Sequence, residues 1–217
     1  MKPRYETVMF DLDGTIIESE QGVLNAMEYA LARLGQSFPP GFSRRSVLGP
    51  PLRYAFPTFL GVKPEDLETV VTHYRKYYAE KGAFEGQPYP GLMDIIKDLH
   101  QSGTKVCVAT SKFSPMMDKV IDHFGIRPYI TYALGSSGKE TSSAKKDIIG
   151  KVLAHSGSSP EQAVMIGDTK YDAGGARENE LPFIGVLYGY GTQEEMEEFG
   201  ATSFAGDADG LRNLLFV

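Results

Sequence analysis

DLDGT, residues 11–15, directly follows the apolar run TVMF, residues 7–10. A short, β-rich apolar run that ends in turn residues is typical of a buried strand. Because side chains alternate along a strand, Asp11 and Asp13 are expected on the same side of the chain. Gly14 permits the sharp turn by which the chain leaves the strand. The sequence therefore predicts two neighbouring carboxylates at a strand end.

The carboxylates of Asp11 and Asp13 would repel each other unless a cation or a shared proton relieved them. Mg²⁺ suits this role because it prefers oxygen ligands. With a phosphoryl group bound, one carboxylate could attack it, while the other protonates the leaving oxygen and later deprotonates water. The competing interpretation is an ordinary turn that carries two aspartates.

The motif at residues 11–15 resembles the first motif of the haloacid dehalogenase-like hydrolase superfamily. In that family the first aspartate, here Asp11, is the nucleophile, and the second, here Asp13, is the general acid and base. The stretches PYPG, DAGGA and GVLYGYG at residues 88–91, 172–176 and 185–191 also resemble the family. The branch that this chain resembles most is the phosphoglycolate phosphatase and β-phosphoglucomutase group. This resemblance implies a Rossmann-like core with an inserted α-helical cap.

The rest of the chain independently predicts the same fold class. Apolar runs typical of buried strands occur at residues 105–110, 130–134, 163–166 and 183–186. Helical spacing of apolar residues occurs between the later runs, at residues 92–100, 116–124 and 145–154. Alternating strands and helices predict an α/β fold with a parallel sheet covered on both faces.

The segment after the first strand breaks this alternation, because it carries helical patterns and no strand pattern. Those patterns lie at residues 20–34 and 65–78, and a Pro/Gly-rich segment, residues 87–91, ends the insertion. We expect a helical cap above the carboxyl ends of the strands, where open parallel sheets place their sites. The predicted domains are residues 1–16 and 89–217 for the core and residues 17–88 for the cap.

The second motif of the family is a Thr or Ser at the end of the next core strand. Thr110 and Ser111 occupy this place, and we predict Thr110 as catalytic and Ser111 as substrate-binding. A hydroxyl there, with the next backbone N–H, can donate to a phosphate oxygen. The alternative is that the hydroxyl residues after this strand cap the following helix, a role that Ser114 or Ser111 could serve.

The third motif is a lysine near the start of a later helix. Positive charge is needed there to hold a phosphate beside acidic side chains. Lys145 and Lys146 are both candidates, and the stretch GKETSSAKKDII, residues 138–149, resembles a family pattern that selects Lys145. The alternative is a solvent-exposed lysine pair on a helix surface.

The fourth motif is MIGDTKYD, residues 165–172, at the end of another apolar run. Asp168 would lie at the strand tip facing Asp11, and Asp172 on the first turn of the next helix. We predict a Mg²⁺ site formed by Asp11, Asp13 through its main-chain carbonyl, Asp168 and Asp172. The alternative is that Asp168 caps a helix and Asp172 is a surface acid.

Two regions bear on the substrate. LGPPLR, residues 48–53, resembles the cap loop that meets the substrate in relatives, so Gly49 and Arg53 are predicted substrate-binding residues. Arg53 could bind a second anionic group, or it could be an ordinary surface arginine. Lys112 departs from the pattern of the group, and it could contact substrate or point to solvent.

Composition limits the possible partners. The chain has 217 residues and a formal net charge of -6, which argues against a nucleic acid polymer as partner. The single cysteine, Cys107, lies in an apolar run and is expected to be a buried, inert thiol. No stretch approaches the roughly 20 apolar residues of a membrane helix, so no membrane partner and a cytoplasmic location are expected.

These features predict an enzyme, a phosphoric monoester hydrolase that uses Mg²⁺ as cofactor. Its partner would be a small phosphorylated metabolite: phosphoglycolate, a sugar phosphate or a nucleotide monophosphate. Hydrolysis would pass through an aspartyl-phosphate. The alternatives are a β-phosphoglucomutase-like isomerase and a non-catalytic signalling protein that carries only a phospho-acceptor aspartate.

Overall fold

The computed structural model describes residues 2–139 and 145–217. Its strands are β1 Thr7–Phe10, β2 Ile17–Glu18, β3 Gln87–Pro88, β4 Lys105–Phe113, β5 Tyr132–Ser136, β6 Ala163–Gly167, β7 Phe183–Val186 and β8 Phe204–Ala205. Its helices are α1 Glu20–Arg33, α2 Leu52–Leu60, α3 Leu67–Glu80, α4 Leu92–Gln101, α5 Ser114–His123, α6 Lys145–Ser156, α7 Lys170–Glu178, α8 Gln193–Glu197 and α9 Ala208–Leu215. Within these two ranges, no helix is both long and apolar enough to cross a membrane.

Six strands form one parallel sheet in the order β5-β4-β1-β6-β7-β8. β1 lies between β4 and β6, and its residues are all buried. The predicted α/β fold with a Rossmann-like parallel sheet is confirmed. The sheet has one strand more than the apolar runs indicated, because the edge strand β8 is only two residues long and carries no periodic signal.

Both faces of the sheet are covered, as strand alternation requires. Val8 and Phe10 pack with α4, α5 and α9 in one hydrophobic cluster. Met9 and Cys107 point to the opposite face, where they pack against α6. Cys107 is fully buried, and burial raises the pKa of its thiol to about 11. The expectation of a buried, inert thiol agrees with this environment.

The helices α1, α2 and α3 lie in the segment predicted as the cap. Where the chain enters and leaves this segment, β2 and β3 pair antiparallel, with Ile17 opposite Pro88 and Glu18 opposite Gln87. Apolar residues of α1 and α3 belong to the same cluster as Val8 and Phe10. The cap helices therefore share buried contacts with the sheet, and the domain boundaries stay a prediction.

Gly14 makes the turn between β1 and β2. The Gly14 N–H donates to the Ile17 carbonyl at 2.8 Å, and the Ile17 N–H donates to the Leu12 carbonyl at 2.9 Å. Gly14 has a φ of 81°, in the left-handed region. A Cβ at this position would lie 2.1 Å from Asp168 Oδ2. The turn therefore requires glycine both for its backbone angle and for the approach of Asp168.

We expect Gly14→Ala to destabilise the protein more than Gly35→Ala. Gly35 also has a left-handed φ, of 69°, but open space surrounds its missing Cβ. The control should cost only the left-handed backbone penalty, about 1 kcal/mol, and Gly14→Ala at least about twice that. Urea denaturation measures both free energies of unfolding. Equal losses would contradict the close contact at Asp168.

Candidate active site

Three carboxylates meet where the strands end. Asp11 follows β1 and Asp168 follows β6, and these neighbouring strands bring both residues to the same sheet edge. Asp172 lies in the first turn of α7. One oxygen from each of the three lies within 4.8 Å of the other two, and all three residues are buried. The structure thus brings together three of the four predicted metal ligands by their side chains.

Lys145, the first residue of α6, is buried in this cluster. Its Nζ lies 2.7 Å from Asp11 Oδ1 and 2.7 Å from Asp172 Oδ1. Lys146 instead points outward, where its Nζ lies 3.2 Å from Glu178 Oε2, and 58% of its side chain is exposed. The structure therefore places Lys145, and not Lys146, at the carboxylates. Residues 140–144 of the lysine motif lie outside the described residues.

The backbone around the cluster fixes the other two aspartates. Asp172 Oδ2 accepts from the Thr169 N–H at 3.1 Å, as part of a capping box at the start of α7, and from the Thr169 hydroxyl at 2.7 Å. Asp168 accepts from the Tyr190 N–H at 2.8 Å and from the Thr15 hydroxyl at 3.1 Å. Asp168 is not a helix cap and Asp172 is not a surface acid, so both alternative interpretations are wrong.

Burial dominates the electrostatics of the cluster. It raises the pKa of Asp11 to about 6, against the opposing pull of Lys145 and with a further rise from Asp172. Burial, Asp172 and Asp11 likewise raise the pKa of Asp168 well above its usual range. Burial opposes the charge on Lys145, but Asp11 and Asp172 outweigh it and raise the lysine pKa. Lys145 pairs with two of the three carboxylates, and burial opposes negative charge on Asp11 and Asp168.

This donor set fits a small divalent cation. Mg²⁺ prefers oxygen ligands and binds through few protein carboxylates. A cation between Asp11 and Asp168 would offset the charge that burial penalises. The Asp13 side chain is not part of this carboxylate group, and the ligand atom predicted for Asp13 is its main-chain carbonyl.

Asp13 instead pairs with Lys112, whose Nζ lies 2.6 Å from Asp13 Oδ2. Only 6% of the Lys112 side chain is exposed, so the interpretation of Lys112 as a solvent-facing residue is wrong. Nothing in the sequence motifs pointed to this ion pair. In the sequence, the one feature that marked Lys112 is its departure from the family pattern.

Thr110 and Ser111 lie near the end of β4, beside Asp11. The Thr110 side chain is buried, its hydroxyl accepts from the Lys112 N–H at 3.3 Å, and its proximity lowers the pKa of Asp11 slightly. Ser111 lines the cavity above the carboxylates. Helix α5 begins only at Ser114, with no side-chain cap, so the helix-capping alternative is wrong.

A cavity lies above the carboxylates, and residues of both the core and the cap line it. Gly49 and Arg53 lie in its wall, as do the unpredicted Arg75 and Tyr78. Arg53 Nε donates to the Gly138 carbonyl at 2.9 Å. The two terminal nitrogens of the guanidinium group, Nη1 and Nη2, donate to the Glu68 carboxylate. Only 13% of the Arg53 side chain is exposed, so it is not an ordinary surface arginine.

The pattern that defines the haloacid dehalogenase-like hydrolases matches residues 8–186 of this chain. The chain belongs to this family. The predicted family is therefore confirmed, and so is the enzyme class, a phosphoric monoester hydrolase.

Three proteins illustrate the similarity. A 5'-nucleotidase of Pseudomonas aeruginosa is 31% identical over 212 residues, which cover 98% of this chain and 96% of that protein. Tyrosine-protein kinase PtkA of Mycobacterium tuberculosis is 30% identical over 215 residues, which cover 98% of this chain and 73% of the kinase. The crystal structure of a "predicted phosphatase" from Clostridium acetobutylicum has a TM-score of 0.87 at 32% identity, covering 97% of both chains. Other similar haloacid dehalogenase-like proteins include phosphoglycolate phosphatases, as the predicted branch implies.

We expect Lys145→Met to destabilise the metal-free protein far more than Lys146→Met. Removing Lys145 leaves Asp11 and Asp172 buried without their shared counter-charge, which typically costs about 3–5 kcal/mol. Removing the exposed Lys146 should cost less than about 0.5 kcal/mol. Urea denaturation in EDTA measures both losses. Similar losses would show that Lys145 does not compensate the buried carboxylates.

Proposed function

We propose that this chain is a Mg²⁺-dependent phosphatase that hydrolyses a small phosphorylated metabolite through an aspartyl-phosphate on Asp11. The observation that carries the proposal is the buried ion pair of Lys145 with Asp11 and Asp172, beside Asp168. Lys145 engages one oxygen of Asp11 and leaves the other for attack on phosphorus. The same positive charge opposes repulsion between the carboxylates and an incoming phosphate.

In the proposed first step, an Asp11 oxygen bonds to phosphorus while the bond to the leaving oxygen breaks. Asp13 gives a proton to that oxygen. In the second step, Asp13 takes a proton from water, the water oxygen bonds to phosphorus, and Asp11 is released with inorganic phosphate. Thr110 and the backbone N–H of Ser111 would donate to the phosphate oxygens. Lys145 holds Asp11 in place throughout.

The proposed metal site uses Asp11, Asp168 and the main-chain carbonyl of Asp13 as direct ligands. Asp172 would act through water or hydrogen bonds, because both its oxygens already have partners in Lys145 and Thr169. Mg²⁺ in this place would supply positive charge to the phosphoryl oxygens.

The cap is proposed to select the leaving group. The core residues at the carboxylates all face the phosphoryl group, whereas the cap contributes the opposite wall of the cavity. The names of the relatives support a nucleotide monophosphate or phosphoglycolate as substrate, and a sugar phosphate is the third candidate. A cavity with walls from both core and cap suits such small molecules better than a nucleic acid polymer. We propose the cytoplasm as the location.

The isomerase and the phospho-acceptor protein are not favoured. A pure acceptor would need neither the cap nor Asp13 as an acid. The isomerase would have to protect the aspartyl-phosphate from water, and coupled assays with sugar phosphates separate it from a phosphatase.

We expect Asp11→Asn to lower turnover of p-nitrophenyl phosphate by at least about a thousandfold, because the amide is a poor nucleophile. The fold should persist, since Asn keeps the shape of Asp while removing a buried charge. Initial rates and thermal melting measure the two effects. Activity near that of the wild type would exclude Asp11 as nucleophile.

Mg²⁺ should raise the melting temperature, and EDTA should abolish activity. A ligand at a hundred times its dissociation constant stabilises the folded state by about 2.7 kcal/mol. Asp168→Asn should lose this stabilisation, because it removes one direct ligand. Differential scanning fluorimetry with and without Mg²⁺ reports binding independently of catalysis. An unchanged Mg²⁺ shift in the variant would place the ion elsewhere.

Arg53→Ala should raise KM about tenfold for a substrate with a second anionic group, the loss of roughly 1.4 kcal/mol of a charged hydrogen bond. It should barely change KM for p-nitrophenyl phosphate. Glu68→Gln is the matched control, because it weakens the pair that holds Arg53 and should lower KM for the same dianionic substrate. Equal losses on both substrates in Arg53→Ala would assign Arg53 to folding or general catalysis.

A further inference from the structure

Lys112 occupies an unusual place on β4. The pairing of β4 with β5 loses its regular register between Ala109 and Phe113. Such irregularities re-aim side chains at the rim of a sheet. Here the irregular stretch includes Lys112, whose Nζ lies 2.6 Å from Asp13 Oδ2 with 6% of the side chain exposed. A lysine buried to this extent needs partners inside the protein, because its ammonium group has little contact with water.

The second partner of Lys112 comes from the cap. Its Nζ lies 4.3 Å from the centre of the Tyr78 ring, on α3. Tyr78 is 1% exposed, and its ring stacks on that of Tyr74 at 5.7 Å. A lysine over a desolvated tyrosine face is attracted by the ring quadrupole. Lys112 thus joins a core carboxylate to a fixed aromatic face of the cap.

This arrangement leaves Asp13 with two unequal oxygens. Oδ2 is engaged by Lys112, whereas Oδ1 is buried and has no hydrogen-bond partner among the residues described. Oδ1 is therefore the oxygen that Lys112 leaves without a partner. The two oxygens of a carboxylate are equivalent, so the ion pair fixes the plane of the Asp13 carboxylate and leaves one oxygen unengaged.

We propose that Lys112 is a positioning residue that orients Asp13 for proton transfer, and that Tyr78 of the cap holds Lys112 in place. The inference rests on the proposed function, in which Asp13 is the general acid and base. It makes that chemistry depend on the contact between α3 and the core. A substrate bound without this contact would face a nucleophile but a poorly oriented acid.

The competing role for Lys112 is direct binding of the phosphate or of another anionic group on the substrate. The two roles differ in their dependence on the leaving group. An alkoxide needs a proton as it departs, whereas 2,4-dinitrophenolate departs without one. Loss of acid positioning should therefore slow an alkyl phosphate selectively, and loss of phosphate binding should slow both esters equally.

The test measures kcat/KM, which reports the steps up to departure of the leaving group, for 2,4-dinitrophenyl phosphate and for a simple alkyl phosphate. We expect Lys112→Met to lower it about a hundredfold for the alkyl ester and less than about threefold for the aryl ester. Lys112→Arg, which keeps the charge, should recover part of the loss. Lys105→Met is the matched control, because Lys105 starts the same strand and donates to the Ser156 carbonyl at 2.7 Å.

A double mutant separates positioning from an independent effect. Asp13→Asn should show the same selectivity for the alkyl ester, and adding Lys112→Met to it should cause no further loss, since both changes disable one acid. Tyr78→Leu should reproduce part of the Lys112→Met selectivity, and Tyr78→Phe, which keeps the ring, should not. Urea denaturation checks that each variant is folded.

Equal losses on both esters, no loss, or additive losses in the double mutant would overturn the inference. A Lys112→Met variant that fails to fold is replaced by Lys112→Gln, with the same expectations. Failure of the proposed function looks different: Asp11→Asn would stay active, or the wild-type chain would hydrolyse neither ester.

Discussion

The buried ion pairs of Lys145 with Asp11 and Asp172 are the interaction on which the rest of the structure depends. Two carboxylates and one ammonium group are unstable in a protein interior unless their geometry is closely controlled. Lys145 is the first residue of α6, Asp11 follows β1, and Asp172 lies in α7, so the network fixes three elements relative to one another. The backbone also approaches closely: a Cβ at Gly189 would lie 2.3 Å from the Asp168 Cβ. The order of the strands and the positions of the glycines thus both allow these charged groups to meet at the carboxyl ends of the strands.

Part of this arrangement could be predicted because its causes are local. The apolar runs predict β1 and β6, and parallel pairing brings Asp11 and Asp168 to the same edge. The family pattern then selects Lys145 over Lys146, and the observed burial agrees with that choice. The assignment of roles to these residues remains a proposal that rests on this geometry.

The rest depends on contacts that local patterns do not encode. β4 extends to Phe113 through an irregular register, so the direction of Lys112 could not be deduced from alternation. The partners of Arg53 are another example, because Glu68 lies 15 residues away and Gly138 lies 85 residues away in the sequence. Helix α2 was not predicted either, since it is short and contains Pro57.

Core and cap contribute different parts of the proposed chemistry. The core supplies the carboxylates and the lysine, which address the phosphoryl group. The cap supplies the opposite wall of the cavity and the aromatic face over Lys112. It is also joined to the core through the Tyr190 hydroxyl, which accepts from the Ser19 N–H at 2.8 Å at the start of α1.

The central claim is that Asp11 carries the phosphoryl group during turnover. The most direct measurement is to quench the enzyme during steady-state hydrolysis, reduce it with borohydride and locate the modified residue by mass spectrometry. Borohydride converts an aspartyl-phosphate to homoserine, and leaves a free carboxylate unchanged. The account predicts homoserine at position 11, only when a phosphate ester and Mg²⁺ are both present. Homoserine at another position, or none while phosphate is being released, would contradict it.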